Sequence, residues 1–257
     1  MKENMASQRT IGIVGGVGPA ASVYTMQKVF DNTKTVLDQD HLPVILISKP
    51  EIIEDRSKFL LSQSGCNPGY SILSVITLLE KAGADIIGIP CNTAHAEKIM
   101  SVIIEGLQRQ KSKVQLINII DEVIQYIKIN WPDRNKVGIL VTNGMYYDGE
   151  YVRKLEANGY KGMTLCEESQ NGVLNDSIYN PEYGIKALGF DVPNKVRKNI
   201  EICIEELIAY GAQVIVLGCT ELPMIIREKQ YKGIPILDSA DILARALVRE
   251  ANKNKLK

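Results

Sequence analysis

Residues 83–91 of the chain read GADIIGIPC, and residues 211–219 read GAQVIVLGC. In both segments a Gly-Ala pair and a polar residue precede an apolar run, and a cysteine stands eight positions after the first glycine. Short runs rich in β-branched residues are typical of strands buried in a parallel sheet. Because the pattern occurs twice, it predicts an internal repeat of about half the chain.

The repeat extends to the other predicted strands. Gly12 precedes Cys91 by 79 residues and Gly138 precedes Cys219 by 81, so the opening strand of each half lies at nearly the same distance from its cysteine. Eight apolar runs are predicted to be strands: 11–14, 44–48, 85–89, 115–118, 137–142, 163–166, 214–217 and 234–237. Amphipathic segments between them, such as 71–81 and 196–210, predict helices. This alternation predicts an α/β fold of two similar domains, each a parallel sheet flanked by helices, related by pseudo-twofold symmetry.

The domains are predicted to interleave along the chain. Residues 1–115 together with 224–257 form the first predicted domain, in which a C-terminal helix returns to pack on the first sheet. Residues 116–223 form the second.

Composition and charge limit the classes of partner. The 257 residues are 45% hydrophobic, and 30 Lys and Arg balance 30 Asp and Glu, which is ordinary for a folded soluble domain. Nucleic acids and anionic membranes are bound through clustered positive charge, and no such cluster occurs. The polar start of the chain has no signal-peptide segment, so we expect a cytoplasmic protein with a small-molecule partner. Five widely spaced cysteines predict no disulfide framework.

Neither a metal site nor a nucleotide site is favoured by the motifs. Cys91 and His95 lie four residues apart, but two ligands without further Cys or carboxylate partners make a poor zinc site, so we predict no metal. The sequence Gly16-x-Gly18-x-x-Ala21 formally matches a dinucleotide fingerprint. The acidic residue expected at the end of the second strand is replaced by 48-SK-49. We therefore expect this loop to offer backbone amides to a small anion at a helix N-terminus.

Cys91 and Cys219 are the candidate catalytic residues. Each ends a predicted strand, at the edge where parallel sheets bind ligands, and each is predicted to begin a helix whose positive end lowers the thiol pKa. A single activated cysteine would suggest covalent catalysis. A pair approaching a cleft from two sides instead suits inversion of a stereocentre, which removes a proton from one face and supplies one to the other.

Five motifs together cover nearly the whole chain in order. They are GGVGP (15–19), EDRS (54–57), PCNTAH (90–95), IK (185–186) and LGCTELP (217–223). With them the chain resembles the aspartate/glutamate racemase family, most closely its aspartate racemase branch. The resemblance implies an isomerase that needs no cofactor and no pyridoxal phosphate, two four-stranded parallel domains, and a homodimer.

The resemblance also implies roles for individual residues. Cys91 and Cys219 correspond to the two proton donors and acceptors, one for each enantiomer. Asn92, Thr93 and Thr220 correspond to groups that bind the substrate carboxylate or amine, and Arg56 and Lys186 to cations for the distal carboxylate. The implied substrate-binding set is completed by Gly16, Val17 and Thr142. For His95 we expect a part in ordering the helix start and none in proton transfer.

The predicted function is interconversion of L- and D-aspartate by two-cysteine proton transfer. Two departures from the family pattern, Val17 in place of Met and Gly144-Met145 in place of Gly-Thr, leave glutamate or a broader set of amino acids open. Two further alternatives remain. One is the use of a single cysteine, as in the related arylmalonate decarboxylases and maleate isomerases, and the other is a two-lobed carboxylate-binding protein without catalysis.

Overall fold

The computed structural model describes residues 8–62 and 64–257 and contains two β-sheets. The strands in these residues are β1 (Ile11–Gly15), β2 (Val44–Ser48), β3 (Ile86–Gly88), β4 (Gln115–Ile117), β5 (Lys136–Leu140), β6 (Lys161–Met163), β7 (Val214–Leu217), β8 (Gln230–Tyr231) and β9 (Ile234–Asp238). The first sheet has the order β2-β1-β3-β4 and is parallel throughout. The second has the order β6-β5-β7-β9-β8, in which only the short edge strand β8 is antiparallel.

Helices cover both sheets. They are α1 (Pro19–Asp31), α2 (Arg56–Ser62), α3 (Pro68–Lys81), α4 (Glu97–Arg109), α5 (Ile119–Asn130), α6 (Asn143–Asp148), α7 (Glu150–Ala157), α8 (Glu167–Ser169), α9 (Asp176–Tyr179), α10 (Ile185–Leu188), α11 (Asn194–Ala209) and α12 (Ser239–Ala251). A π-helical segment, Gln170–Asn175, joins α8 to α9. Among the described helices, none combines the length and the hydropathy that crossing a bilayer requires.

The α/β fold with two similar parallel sheets is confirmed. The order β2-β1-β3-β4 in the first half corresponds to β6-β5-β7-β9 in the second, so the internal repeat is a repeat of topology. Every residue of β1, β3 and β7 is buried, which is why these strands are continuous apolar runs in the sequence. Seven predicted strands agree with the structure within two residues at each end.

The sixth strand lies earlier than predicted, at Lys161–Met163, because the pairing with β5 ends where Gly138 meets Met163. Its polar first residue and its glycine concealed it in the sequence. Strand β8 was not predicted, since two residues carry no periodic signal.

The first strand of each half contains a glycine, Gly12 or Gly138, that close packing requires. A Cβ atom on Gly12 would lie 2.6 Å from Ile87 Cδ1, and one on Gly138 would lie 2.8 Å from Ile215 Cδ1. Both isoleucines come from the strand that leads to a cysteine, β3 or β7. Each half therefore needs a glycine so that its first strand packs against the cysteine-bearing strand.

The second sheet extends further along the chain than the predicted boundary at residue 223. Strand β9 pairs with β7, and β4 at residues 115–117 pairs with β3 in the first sheet. The boundaries at 115 and 223 therefore do not follow the sheets. Helix α12 packs against α1, α5 and β3, as the expected return helix would. We propose to keep the two-domain division, with residues 119–238 as the second domain.

Candidate active site

The two cysteines occupy equivalent places in the two halves. Cys91 follows β3 by three residues, and Cys219 follows β7 by two. Both strands have a parallel neighbour on each side, and both cysteines lie at the carboxyl edge. The thiols are buried, with exposed fractions of 8% and 4%.

Both cysteines line one cavity between the two halves, together with most of the predicted site residues. The lining comprises Arg56, Cys91, Asn92, Thr93, Thr142, Tyr179, Lys186, Cys219, Thr220 and Glu221. Eight of the ten predicted site residues therefore meet in one place. Gly16 and Val17 are not in the lining. The cavity has a volume of about 10 Å³, which is the space of about one water molecule.

Arg56 is the cation on the Cys91 side of the cavity. It begins α2 and is buried, with Nη1 donating to the Glu54 carbonyl at 3.1 Å and Nη2 donating to the Val17 carbonyl. Its Nε is buried without a hydrogen-bond partner. Burial opposes the charged form, but interactions with Cys91 and Asp55 outweigh it and raise the pKa of the Arg56 guanidinium. Arg56 therefore stays cationic beside Cys91.

The segment after Cys91 is a short 3-10 helix, Asn92–His95, and α4 begins only at Glu97. Cys91 therefore caps a single 3-10 turn, and the longer helix dipole expected at this residue is not present. The Nδ1–H group of His95 donates to the Cys91 carbonyl at 2.9 Å, and burial lowers the pKa of His95 to about 4. A neutral imidazole that bonds the backbone agrees with the expected ordering role.

On the other side of the cavity, Cys219 is paired with a carboxylate. Its Sγ lies 3.1 Å from Glu221 Oε2, to which the thiol donates, and Glu221 Oε1 accepts a hydrogen bond from Lys186 Nζ. Burial disfavours both charges, but their mutual attraction lowers the pKa of Glu221 and raises that of Lys186. The two side chains therefore form a buried ion pair beside the thiol.

This environment contradicts the expected low thiol pKa at Cys219. Burial raises the pKa of Cys219 well above its ordinary value, the adjacent Glu221 carboxylate raises it further, and Lys186 only partly opposes them. The chain after Cys219 forms only a 3-10 helix, Leu222–Met224, so no long helix lowers the pKa. In this structure Cys219 is a protonated thiol.

Hydroxyl groups from both halves meet beside the thiols. Ser57 Oγ donates to Thr142 Oγ1 at 2.9 Å, and Thr142 and Thr93 hydroxyls lie 2.9 Å apart. Helix α6 approaches closely here because residue 144 is glycine: a Cβ would lie 2.5 Å from Ser57 Cα. The hydroxyl of Thr220 instead donates to the Pro90 carbonyl at 2.9 Å, so its proton serves the backbone and not a ligand.

The glycine loop before α1 lies close to the carboxylate of Glu221. A Cβ on Gly18 would lie 2.7 Å from Glu221 Oε1, so the carboxylate sits over the start of α1, where the helix dipole favours negative charge. The other contact of this loop with the site is the Val17 carbonyl that accepts from Arg56. The predicted amide contacts to a bound anion from Gly16 and Val17 remain a prediction.

Two lining residues, Glu221 and Tyr179, were not predicted. Glu221 stands inside the motif 217–223, two positions after Cys219, so a carboxylate next to a candidate thiol was the available signal. Tyr179 lies under Lys186, whose Nζ is 5.4 Å from the ring centroid, and no sequence signal marks it. In the described parts of the chain, no three His, Cys, Asp or Glu side chains group as a metal site requires.

Comparison with known proteins agrees with the resemblance seen in the motifs. The family model described as Asp/Glu/Hydantoin racemase matches residues 14–247. The structure is similar to that of the Picrophilus torridus aspartate racemase, with a TM-score of 0.78, 28% identity, and coverage of 97% of this chain and 96% of that one.

Two curated relatives have other substrates in their names. The broad specificity amino-acid racemase RacX of Bacillus subtilis (strain 168) is 26% identical over 93% of this chain and 96% of its own length. The glutamate racemase of Carboxydothermus hydrogenoformans is 27% identical over 71% of this chain and 62% of its own length. Since the family model spans most of the sequence, the chain belongs to the Asp/Glu/hydantoin racemase family.

Proposed function

We propose that the protein racemises an amino acid by proton transfer between Cys91 and Cys219, without a cofactor. The observation that carries the proposal is that both thiols line one cavity and come from equivalent positions of the two halves. Inverting a stereocentre requires an acid/base group on each face of the α-carbon. Two thiols from opposite halves meet that requirement with the same chemical group.

The two thiols have different neighbours. Cys219 donates to Glu221 and is a thiol, whereas Cys91 lies beside the Arg56 cation. In the proposed forward step, the Cys91 thiolate removes the α-proton from one face of the substrate. The Cys219 thiol then gives its proton to the opposite face. The two cysteines exchange these roles for the other enantiomer.

The proposed cycle includes opening and closing of the cleft. A cavity of about 10 Å³ is too small for an amino acid, so in the proposed cycle the site widens for the substrate to enter. Lys186 and Glu221 lie in the lining, so the substrate must either displace their side chains or take over part of their hydrogen bonding when it binds. Closure then excludes water, which strengthens the contacts of Arg56 and Lys186 with developing negative charge.

Aspartate is the substrate we propose first. Arg56 and Lys186 are two cations in a small buried site, and guanidinium and ammonium groups are suited to carboxylates. The aspartate racemase named above supports the same choice. A second candidate is broad specificity, because Glu221 already neutralises Lys186 and the Bacillus relative is named for that activity. With that ion pair intact, the site favours a substrate with one carboxylate.

The test is incubation of the protein in D₂O with L-aspartate, L-glutamate and a panel of neutral L-amino acids, without added cofactor. The α-proton NMR signal and the chiral composition are followed together. We expect deuterium at Cα and formation of the D-enantiomer, fastest for aspartate. Equal rates for acidic and neutral amino acids would favour broad specificity. Folded, reduced protein that exchanges no α-proton would contradict the proposal and favour the decarboxylase, isomerase or binding-protein alternatives.

We further propose that the enzyme is a cytoplasmic homodimer. The resemblance to the family supports the dimer. Sedimentation velocity of the purified protein checks the first point, and a monomer across the micromolar range would contradict it.

A further inference from the structure

Asn92 directly follows Cys91, and only the amide nitrogen of its carboxamide has a hydrogen-bond partner. Its Nδ2 donates to Ser239 Oγ at 3.0 Å. Its Oδ1 is buried and accepts no hydrogen bond. The whole side chain is 1% exposed and lines the cavity with both thiols. An unpaired buried carbonyl costs free energy, so an empty acceptor on a residue that lines the site points to a ligand group that donates.

Ser239 determines which end of the carboxamide faces it. The Ser239 hydroxyl donates its one hydrogen to the Leu217 carbonyl at 2.7 Å, and it can then only accept from Asn92. If Asn92 were rotated by 180°, its Oδ1 would meet the Ser239 oxygen with no hydrogen between them. The hydrogen-bond chain from Asn92 through Ser239 to Leu217 therefore favours the orientation in which Nδ2 faces Ser239.

Ser239 is itself firmly placed. It is fully buried and begins α12, directly after β9 of the second sheet, whereas Asn92 follows β3 of the first. Its acceptor, Leu217, is the last residue of β7, two positions before Cys219. One serine therefore links the loops that carry the two cysteines.

We propose that Ser239 is a positioning residue that holds the Asn92 carboxamide so that Oδ1 accepts a hydrogen bond from the α-ammonium group of the substrate. This inference rests on the proposed racemase function. The family resemblance already implies that Asn92 binds the substrate carboxylate or amine, and the new element is that Ser239 orients the carboxamide for the amine. A carboxamide oxygen can only accept. The strong donor of an α-amino acid is its ammonium group, while carboxylates only accept. A dicarboxylate without an amine would gain nothing from this contact.

The test compares L-aspartate with succinate, which has both carboxylates and no ammonium group. Dissociation constants are measured by calorimetry for the wild-type protein and for Ser239→Ala. A hydrogen bond to a charged group has a strength that corresponds to about tenfold or more in affinity. We therefore expect Ser239→Ala to raise the dissociation constant of aspartate about tenfold and that of succinate less than twofold. The conservative Ser239→Thr, which keeps the hydroxyl, is expected to restore most of the difference.

The matched control is Ser177→Ala. Ser177 is also a fully buried serine whose Oγ accepts from an asparagine amide, that of Asn199 at 3.0 Å, but it is not in the cavity lining. We expect Ser177→Ala to leave the ratio of the two dissociation constants unchanged. If Ser239→Ala does not fold, Asn92→Leu removes the acceptor directly and is expected to produce the same selective loss.

Each result decides the matter. Equal weakening of aspartate and succinate, or no weakening of either, in a folded Ser239 or Asn92 variant would overturn the role of Ser239. Failure of the proposed function gives a different result, because the wild-type protein would then exchange no α-proton and form no D-enantiomer in D₂O, whatever the dissociation constants of the Ser239 variants.

Discussion

Thr220 donates a hydrogen bond to the Pro90 carbonyl at 2.9 Å, so the residue after one cysteine is bonded to the residue before the other. Both groups are buried. The two thiols are thus held in relation to each other by a direct bond between their own loops. This contact joins the halves of the repeat at the point where proton transfer would occur.

Removal of this bond should reduce both stability and turnover. We expect Thr220→Val to lower the free energy of unfolding by about 1–3 kcal/mol, because the Pro90 carbonyl is left buried without its donor. Turnover should fall further than binding, since the relative placement of the thiols matters in the transition state. Denaturant unfolding and steady-state kinetics measure the two effects. Thr220→Ser keeps the hydroxyl and serves as control; a Thr220→Val enzyme with unchanged kcat would contradict this role.

The two cysteines should be separately essential for racemisation. We expect Cys91→Ser and Cys219→Ser each to reduce steady-state turnover by on the order of 10²–10⁴-fold, the usual contribution of a general acid or base. Chiral chromatography of the product measures the rate. Cys166→Ser, at an exposed cysteine outside the lining, is expected to retain full activity. Near-normal turnover in either active-site variant would rule out the two-base mechanism.

The sheets were predictable from sequence because their signals are local. The glycines, apolar runs and cysteines of β1, β3, β5 and β7 lie in short segments that are repeated within the chain. The pairing inside the site is not local. Glu221 meets Lys186 from 35 residues away, and Asn92 meets Ser239 from 147 residues away. Such contacts depend on how the two halves meet, which no sequence period encodes.

The thiol pKa values illustrate the same limit. A strand end followed by a helix predicts an activated cysteine, yet burial and a neighbouring carboxylate raise the pKa of Cys219. Both causes arise from tertiary packing. The motif identified the right residue, but its protonation could be seen only once the neighbours were in place.

Neutralising Glu221 should make Cys219 more reactive. Glu221→Gln removes the negative charge 3.1 Å from the thiol and leaves Lys186 to favour the thiolate, so the pKa of Cys219 should decrease. Since each pH unit of that decrease multiplies the thiolate fraction by about ten, we expect Cys219 alkylation at pH 8 to accelerate by up to about tenfold. Mass spectrometry of the Cys219 peptide measures the rate.

The control for this experiment is Glu228→Gln, whose carboxylate pairs with Arg197 near the surface. It should alkylate at the wild-type rate. An unchanged rate in Glu221→Gln would mean that the carboxylate does not hold Cys219 in the protonated form.

His95 should make the fold sensitive to acid. Burial lowers its pKa to about 4, whereas a histidine in an unfolded chain has a pKa near 6.5. The unfolded chain therefore binds a proton that the native protein excludes, and this contribution to stability is lost as pH falls from about 6.5 to 4. The full loss is about 3 kcal/mol. The free energy of unfolding is measured with urea at several pH values. Between about pH 6.5 and 4 it should decrease less steeply in His95→Gln than in the wild-type protein, and an equally steep decrease would contradict the assignment.

Lys186 should separate acidic from neutral substrates. Its ammonium is the cation of α10 and lies in the cavity lining, bonded to Glu221 and 5.4 Å from the Tyr179 ring centroid. When aspartate binds, the Lys186 ammonium would move from Glu221 to the distal carboxylate of the substrate. The Lys186→Met substitution removes this contact with the substrate. We expect kcat/KM for aspartate to fall by on the order of tenfold to a hundredfold, as loss of a charged hydrogen bond of about 1.5–3 kcal/mol implies. A neutral substrate should lose much less.

The matched control is Lys195→Met. Lys195 also stands over a tyrosine ring, 3.1 Å from the centroid of Tyr183, but it is exposed and outside the cavity lining. This substitution should leave kcat/KM unchanged for both the acidic and the neutral substrate. Equal losses for acidic and neutral substrates in Lys186→Met would mean that Lys186 serves mainly to neutralise Glu221. The distal carboxylate would then have Arg56 as its remaining candidate partner, whose two Nη atoms already donate to backbone carbonyls. That result would make the one-carboxylate substrates of a broad-specificity racemase the better fit to the site.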